Sequence, residues 1–311
     1  MRVLVVSNML GCKQRPERGR FVRDQVAALQ SLNGLDVELY ELAPGPRALA
    51  HAAGELHRRY RDRRFDVVHA HFGLTAWPAL AVKAVVRGVT LHGTDLAHPR
   101  TRAATRAVLP LMDLVATASE ALIEQVPGRA RRRAQALPCG VDTERFVPIE
   151  RATTRAELGL DRELPLLLLA ADPARPEKRG DRAQRLADAC DARLLTLGGV
   201  EPERVPLYVN AANAVLVPSE REGFGLAALE ALACNVPVLA TPVGVHPRAL
   251  DGLDGCLCAP FDLDEWSRAL APHLQTPDPR VAGRGRAEQF STHAMAERMA
   301  GAWRTAVADA G

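Results

Sequence analysis

A chain of 311 residues has room for two domains with ample buried core, and a formal net charge of +3 is too near neutral to argue for nucleic acid as a partner. Aromatic residues make up only 4% of the sequence, which leaves little on which single-stranded bases could stack. The six cysteines form no CxxC pair and several sit in apolar runs, the pattern of a reducing compartment without structural zinc.

The first half alternates β-branched runs with helical periodicity. Strands are predicted at 3–7, 37–42, 67–71, 86–92, 114–118 and 135–138, with helical stretches near 20–32, 47–63, 75–84, 101–110 and 119–126. This alternation is the signature of a doubly wound parallel sheet. A polar segment at 143–163 interrupts it, and strands resume at 164–171, 194–197, 215–218, 236–240 and 256–258. A last helical stretch, 293–308, carries Met295, Met299, Trp303 and Ala306 at helical spacing and reads as a packing surface. The expected organisation is α/β: two Rossmann-like domains, 1–147 and 148–290, facing each other across a cleft, with 291–311 as a helix packing back on the first. Ligands of such sheets bind at the carboxyl ends of the strands. That directs attention to Asn8, His71, His92, Ser119, Asp172 and Ser219.

The longest strongly apolar run, 164–171, is far too short to cross a bilayer, and the opening residues read as a strand rather than a signal segment. A cytoplasmic protein is expected. Of 40 basic residues, only Lys13, Lys83 and Lys178 are lysines. The Arg-dense stretches 58–64 and 129–133 read as solvated helix faces, with weak peripheral contact at the inner membrane face as the other reading.

The most informative segment is Glu222-Gly-Phe-Gly-Leu-Ala-Ala-Leu-Glu230, between the apolar strands at 215–218 and 236–240. Strand, glycine loop, helix and strand make one βαβ unit. Gly223 and Gly225 free the loop backbone, so the unpaired N–H groups at the helix start can face an anion, with the helix dipole adding to the attraction. Glu230 sits among Leu226, Leu229, Leu232 and three alanines, which predicts a buried carboxylate needing a partner. Two carboxylates, acceptors only when ionised, suit a hydroxyl-rich ligand. The residues together read as a site for a nucleotide diphosphate carrying a polyol.

This organisation resembles the retaining glycosyltransferases of the GT-B fold, family 4, the group 1 transferases, and in its compact second domain the members that act in surface-polysaccharide pathways. Glu222-x7-Glu230 with the following Pro237-Val-Leu-Ala-Thr-Pro-Val-Gly244 is similar to the family's donor-site motif. Thr90-Leu-His-Gly-Thr-Asp95 resembles the segment of its active-site histidine, Gly140-Val-Asp142 the turn before its second domain, and Pro173-Ala-Arg-Pro-Glu-Lys178 its diphosphate loop. The resemblance implies that Glu222 accepts hydrogen bonds from donor-sugar hydroxyls, with Gly223 and the amides of Phe224, Gly225 and Leu226 nearby. It implies that Glu230 binds the ribose, that Lys178 neutralises the leaving diphosphate and that His92 contacts the sugar near the reacting carbon. Gly19 would let backbone approach the phosphates, its other reading being an ordinary loop glycine. Asp95 and His71 are candidates for the acceptor side, Asp95 also for orienting His92. No metal and no cofactor are implied; the nucleotide diphosphate-sugar is a co-substrate, and the acceptor is a saccharide, lipid-linked or small-molecule hydroxyl. Three positions depart from the pattern. Pro173 replaces an Arg, for which Arg175 or Arg179 would substitute, Asn213 stands for an Asp, and Arg248 for a Glu.

Other readings are weaker. Asp262-Leu-Asp264 looks like a metal motif but precedes a helix and reads as its cap. His246-Pro247 reads as a turn. Gly11 and Gly19 do not supply the G-x-G-x-x-G of a nicotinamide dehydrogenase. A non-catalytic relative that binds nucleotide-sugar as a partner subunit is the alternative to an enzyme.

Overall fold

The computed structural model describes residues 1–12 and 18–311. Met1–Gly140 and Thr292–Gly311 form one compact unit, and Val141–Ser291 a second. In the first, six parallel strands run in the order β2-β1-β3-β4-β5-β6: β1 Arg2–Ser7, β2 Asp36–Glu41, β3 Arg64–His71, β4 Lys83–Leu91, β5 Leu114–Thr117 and β6 Ala134–Ala136. Their pleat sends Leu4, Val6, Val68 and Leu91 to one apolar layer and Val3, Val5, Val67 and Val86 to the other. Burial on both faces is what a parallel sheet requires. The helix Thr292–Asp309 lies on the second face, beside the helix Arg20–Gln30, and turns Met295, Ala296, Met299, Ala300 and Trp303 inward.

The second unit has five parallel strands in the order β11-β10-β9-β7-β8: β7 Leu166–Leu169, β8 Arg193–Thr196, β9 Ala214–Val217, β10 Val238–Ala240 and β11 Leu257–Cys258. All eleven strands fall where the β-branched and leucine runs predict them. The helix expected over 75–84 stops at Ala79, because residues from Lys83 onward are already paired in β4. Among the described residues no helix is long and apolar enough to cross a membrane.

The division between the units lies at 140/141, earlier than the 147/148 expected. Guanidinium groups tie the intervening chain to the second unit. Arg284 donates to the carbonyls of Thr143, Phe146 and Ala233, and Arg280 to those of Ile149 and Cys234. Val141 N–H donates to the Phe290 carbonyl.

The polar segment 143–163 hides a helix, Arg151–Leu158, whose Arg155 is fully buried. Its guanidinium donates to the carbonyls of Ala211, Asp161, Arg162 and Leu164 and to Oδ1 of Asn213, all within 3.1 Å. Asn213 also accepts from Leu166 N–H at the head of β7 and donates to the His273 carbonyl. An Asp there would lose that donor, so the departure at 213 belongs to this scaffold. A buried cation is tolerated because oxygens replace its water. Arg155→Met strands those acceptors in the interior; it is expected to lower the unfolding free energy by about 3 kcal/mol or more, read from urea denaturation.

Candidate functional site

In the second unit the chain leaves β7 toward β8 on one flank and returns to β9 on the other. The loops after β7 and β9 therefore part in opposite directions at the carboxyl edge, the place where open α/β sheets bind ligands. Lys178 comes from the first loop and Glu222 from the second. Lys178 Nζ meets Glu222 Oε1 at 2.6 Å and Oε2 at 2.7 Å, and Ser219 Oγ donates to Oε1 at 2.7 Å. The two side chains are only 12% and 9% exposed. A backbone bond from Glu220 N–H to the Glu177 carbonyl, 2.9 Å, pins the loops together beside them. Removing both charges from water costs about as much as their attraction returns, so the pair is not there for stability alone.

The helix Leu226–Ala233 starts at this point. Gly225, φ 106°, precedes it, and a Cβ there would come within 2.6 Å of His246 Nε2. His246 is not in a simple turn, as its Pro neighbour suggests; it begins the helix His246–Leu250 and is fully buried. Its Nδ1 lies 2.9 Å from the Thr241 carbonyl, which can only accept, so Nδ1 carries the proton. Burial holds its pKa below the ordinary value. The ring props the glycine loop from beneath, a part the sequence did not announce. Phe224, buried, fastens the loop by accepting from Val245 N–H at 2.7 Å.

Glu230 is not enclosed on every side. The helix buries Ala228, Leu229, Ala231 and Leu232, while Leu226, Ala227 and Glu230 form a half-exposed stripe. A helix apolar in composition need bury only the face it lays on the sheet. Arg175 and Arg179, the candidates to replace the arginine absent at Pro173, are both engaged with carboxylates. Arg175 pairs with Glu177 at 2.7 Å, and Arg179 with Glu220 at 2.6 Å and Asp181 at 2.5 Å. Arg179 borders an open depression that Pro173, Gly180 and Arg221 also line. Asp262 Oδ1 accepts from Glu265 N–H and caps the helix Leu263–Gln275.

In the first unit the corresponding edge holds His92, just past β4. Its ring is held by His71, whose Nδ1 lies 2.9 Å from His92 Nε2, and packs against Phe21 and Phe72 at centroid distances of 5.1 and 4.5 Å. Phe72 adopts φ 72°, a conformation costing a non-glycine residue about 1–3 kcal/mol, and its ring rests on His92. Asp95 and His71, the candidates for the acceptor side, lie in the interior of the first unit. Both are almost fully buried, and the Asp95 carboxylate accepts from the amides of His92, at 3.1 Å, and Gly73, at 3.3 Å. Asp95 positions the His92 backbone, and burial raises its pKa to about 6. Gly19, φ 73°, opens the helix Arg20–Gln30, and a Cβ there would meet the Met9 carbonyl at 2.3 Å. Packing within its own chain requires a glycine there; Lys13 lies outside the described residues.

Beside His71 lies a third imidazole, His69, with ring centroids 5.8 Å apart. Trp303 Nε1–H of the C-terminal helix donates to His69 Nδ1 at 3.1 Å, so His69 carries its proton on Nε2, which faces Thr90 Oγ1 at 2.7 Å. Burial pushes His69, His71 and His92 down, His71 to about 4. In the unfolded chain each titrates near 6.5. A folded pKa below the unfolded one gives stability that is present above pH 6.5 and lost as pH falls. Asp95, raised, returns one proton's worth below pH 6, leaving three less one. The first unit is therefore expected to lose stability from pH 7 to pH 5, by about 1.4 kcal/mol per pH unit for each net proton. Chemical denaturation across that range measures it, and a flat profile contradicts neutral imidazoles.

Residues 3–145 match the family described as Glycosyltransferase Family 4, and residues 157–276 that described as Glycosyl transferases group 1. The D-inositol 3-phosphate glycosyltransferase of Mycolicibacterium paratuberculosis is 32% identical over 327 residues, covering 88% of this chain and 72% of the relative. The protein of the same description from Mycobacterium avium is likewise 32% identical, with 75% of its length covered. Among solved structures, sucrose-phosphate synthase from Thermosynechococcus elongatus has a TM-score of 0.73 at 20% identity, covering 99% of this chain and 100% of that one. Anabaena HepE in complex with UDP and glucose has a TM-score of 0.72 at 16% identity, covering 98% and 100%. Those two likenesses speak for the fold, and the curated relatives and the matched families for descent. The chain belongs to glycosyltransferase family 4, the group 1 glycosyl transferases of the GT-B fold.

Proposed function

We propose that this glycosyltransferase moves a hexosyl unit from a nucleotide diphosphate-sugar, a UDP-sugar foremost, to an acceptor hydroxyl, with retention of configuration and without a metal. The observation that carries the proposal is the Lys178–Glu222–Ser219 group at the foot of the helix Leu226–Ala233. Lys178 and Glu222 are each other's counter-ion. A diphosphate that takes over Lys178 leaves the Glu222 carboxylate to accept from sugar hydroxyls, while the amides at the helix start face the phosphates. Glu230, on the accessible stripe, accepts from the ribose. His92 offers a hydrogen bond to the sugar.

In the transfer step the bond from the anomeric carbon to the diphosphate oxygen breaks. The acceptor oxygen bonds that carbon on the same face, and its proton passes to the departing phosphate oxygen. Lys178 balances the charge on the leaving group, and Glu222 orients the sugar without becoming a nucleophile, unlike the second carboxylate of a retaining glycosidase. Support for the donor class comes from HepE, described with UDP and glucose. Support for a polyol acceptor comes from the relatives, described as acting on D-inositol 3-phosphate. For this chain the acceptor is a saccharide, lipid-linked or small-molecule hydroxyl.

A thermal-shift panel of UDP-, GDP-, ADP- and dTDP-glucose tests donor binding, because a ligand of the native state raises its apparent stability. With the donor so identified, Lys178→Met and Glu222→Gln are each expected to lower kcat by about 100-fold or more. The anomer of the product, read by NMR, and turnover in the presence of a chelator test retention and metal independence. No shift with any donor, or undiminished turnover in both variants, overturns the proposal. Donor binding without single-turnover consumption would instead support a nucleotide-sugar-binding partner subunit.

A further inference from the structure

The sequence offers His71 as a residue at a strand end and as a candidate for the acceptor side, with no part in setting the state of His92. Its geometry supplies one. His71 and His92 stand side by side at the ends of adjacent strands, rings 21° from parallel with centroids 5.1 Å apart, and a single hydrogen bond of 2.9 Å joins Nδ1 of the first to Nε2 of the second. One of these nitrogens holds the proton. The neighbours decide which.

His71 is 1% exposed, and its Nε2 is buried without a hydrogen-bond partner among the described residues. Around it stand the edges of Phe21 and His69, at centroid distances of 6.1 and 5.8 Å. His69 has no proton to give to it, since its Nε2–H is directed at Thr90 and its Nδ1 is occupied by Trp303. Were the shared proton on His92, a neutral His71 would carry its own on Nε2, a buried donor with no acceptor. With the shared proton on His71, Nε2 is a bare lone pair in the same place. Folded proteins strand buried acceptors more readily than buried N–H groups.

We propose that His71 is a positioning residue for His92: its Nδ1–H donates to His92 Nε2 and thereby fixes the proton of the His92 ring on Nδ1. The tautomer then presents a donor, the polarity needed to address a hydroxyl oxygen of a sugar. Asp95 holds the backbone of His92, Phe21 and Phe72 hold its faces, and His71 sets which nitrogen is protonated. The proposal rests on the reading of His92 as the residue that meets the donor sugar only for its consequence in turnover; the tautomer itself is independent of that reading.

Long-range proton–nitrogen spectra of the full chain labelled with ¹⁵N-histidine, which separate protonated from bare ring nitrogens, test it without a substitution. The expected result is a protonated Nδ1 and a bare Nε2 on both His71 and His92, with His69 as the opposite tautomer. A protonated Nε2 on His92 overturns the proposal. In turnover with whichever of UDP-, GDP-, ADP- or dTDP-glucose binds, His71→Leu is expected to lower kcat by about tenfold or more with the donor KM little changed. His71→Asn, whose amide can still donate from the Nδ1 position, is expected to recover most of that loss. Equal kcat for wild type, His71→Leu and His71→Asn overturns the positioning role. If none of the four donors is bound or turned over, the function proposed above fails, and the spectra still decide the tautomer.

Discussion

Lys178 and Glu222 are adjacent because a parallel sheet that grows in two directions must part its loops somewhere. Strands β7 and β9 are neighbours in space and separated in sequence by β8, so the chain passes the same edge twice, once outward and once returning. A cation delivered by one passage and a carboxylate by the other meet in a recess where neither keeps its water. Such a pair is self-sufficient but replaceable, since any anion with better geometry can take the lysine. The rest of the second unit serves that recess. His246 props the glycine loop, Ser219 aligns the carboxylate, and the backbone bond between Glu220 and Glu177 keeps the two passages in step.

The first unit solves a different problem, that of putting polar chemistry into an apolar layer. His69, His71 and Thr90 project from the face that the C-terminal helix covers, among valines and methionines. Charged imidazoles would be intolerable there, and burial keeps them neutral. Neutral imidazoles need a definite proton address. Trp303, able only to donate, supplies it for His69, so the last helix contributes polar order as well as apolar cover.

Most of this architecture was legible from the chain. Runs such as Leu166–Leu169 and Ala214–Val217 call for burial in a parallel sheet, and the two glycines between Glu222 and Glu230 marked the loop that leads from β9 into its helix. What stayed hidden has a common cause: side chains whose partners are far away in sequence. Arg155 looked like one more arginine of a polar stretch, yet its acceptors include the Ala211 carbonyl and Asn213, more than fifty residues on. Asn213 looked like a departure from a donor-site pattern and is a bracket between β7 and His273. His246 looked like a turn because Pro247 follows it, and only the fold shows Gly225 above its ring. Composition likewise misjudged Glu230, since an all-apolar surround says nothing about which side of a helix meets the sheet.

The first unit is built from two separate stretches of chain, with the whole of the second unit between them. A ribosome therefore delivers residues 141–291, which hold every strand of their own sheet, before Trp303 has been made. Until then Val3, Val67, Val86 and the His69 ring lack the lid they have in the finished protein. Domains mature as units during synthesis, so the block that emerges second is the first able to complete itself. The amino-terminal block must wait, and its order of maturation runs against its order of birth.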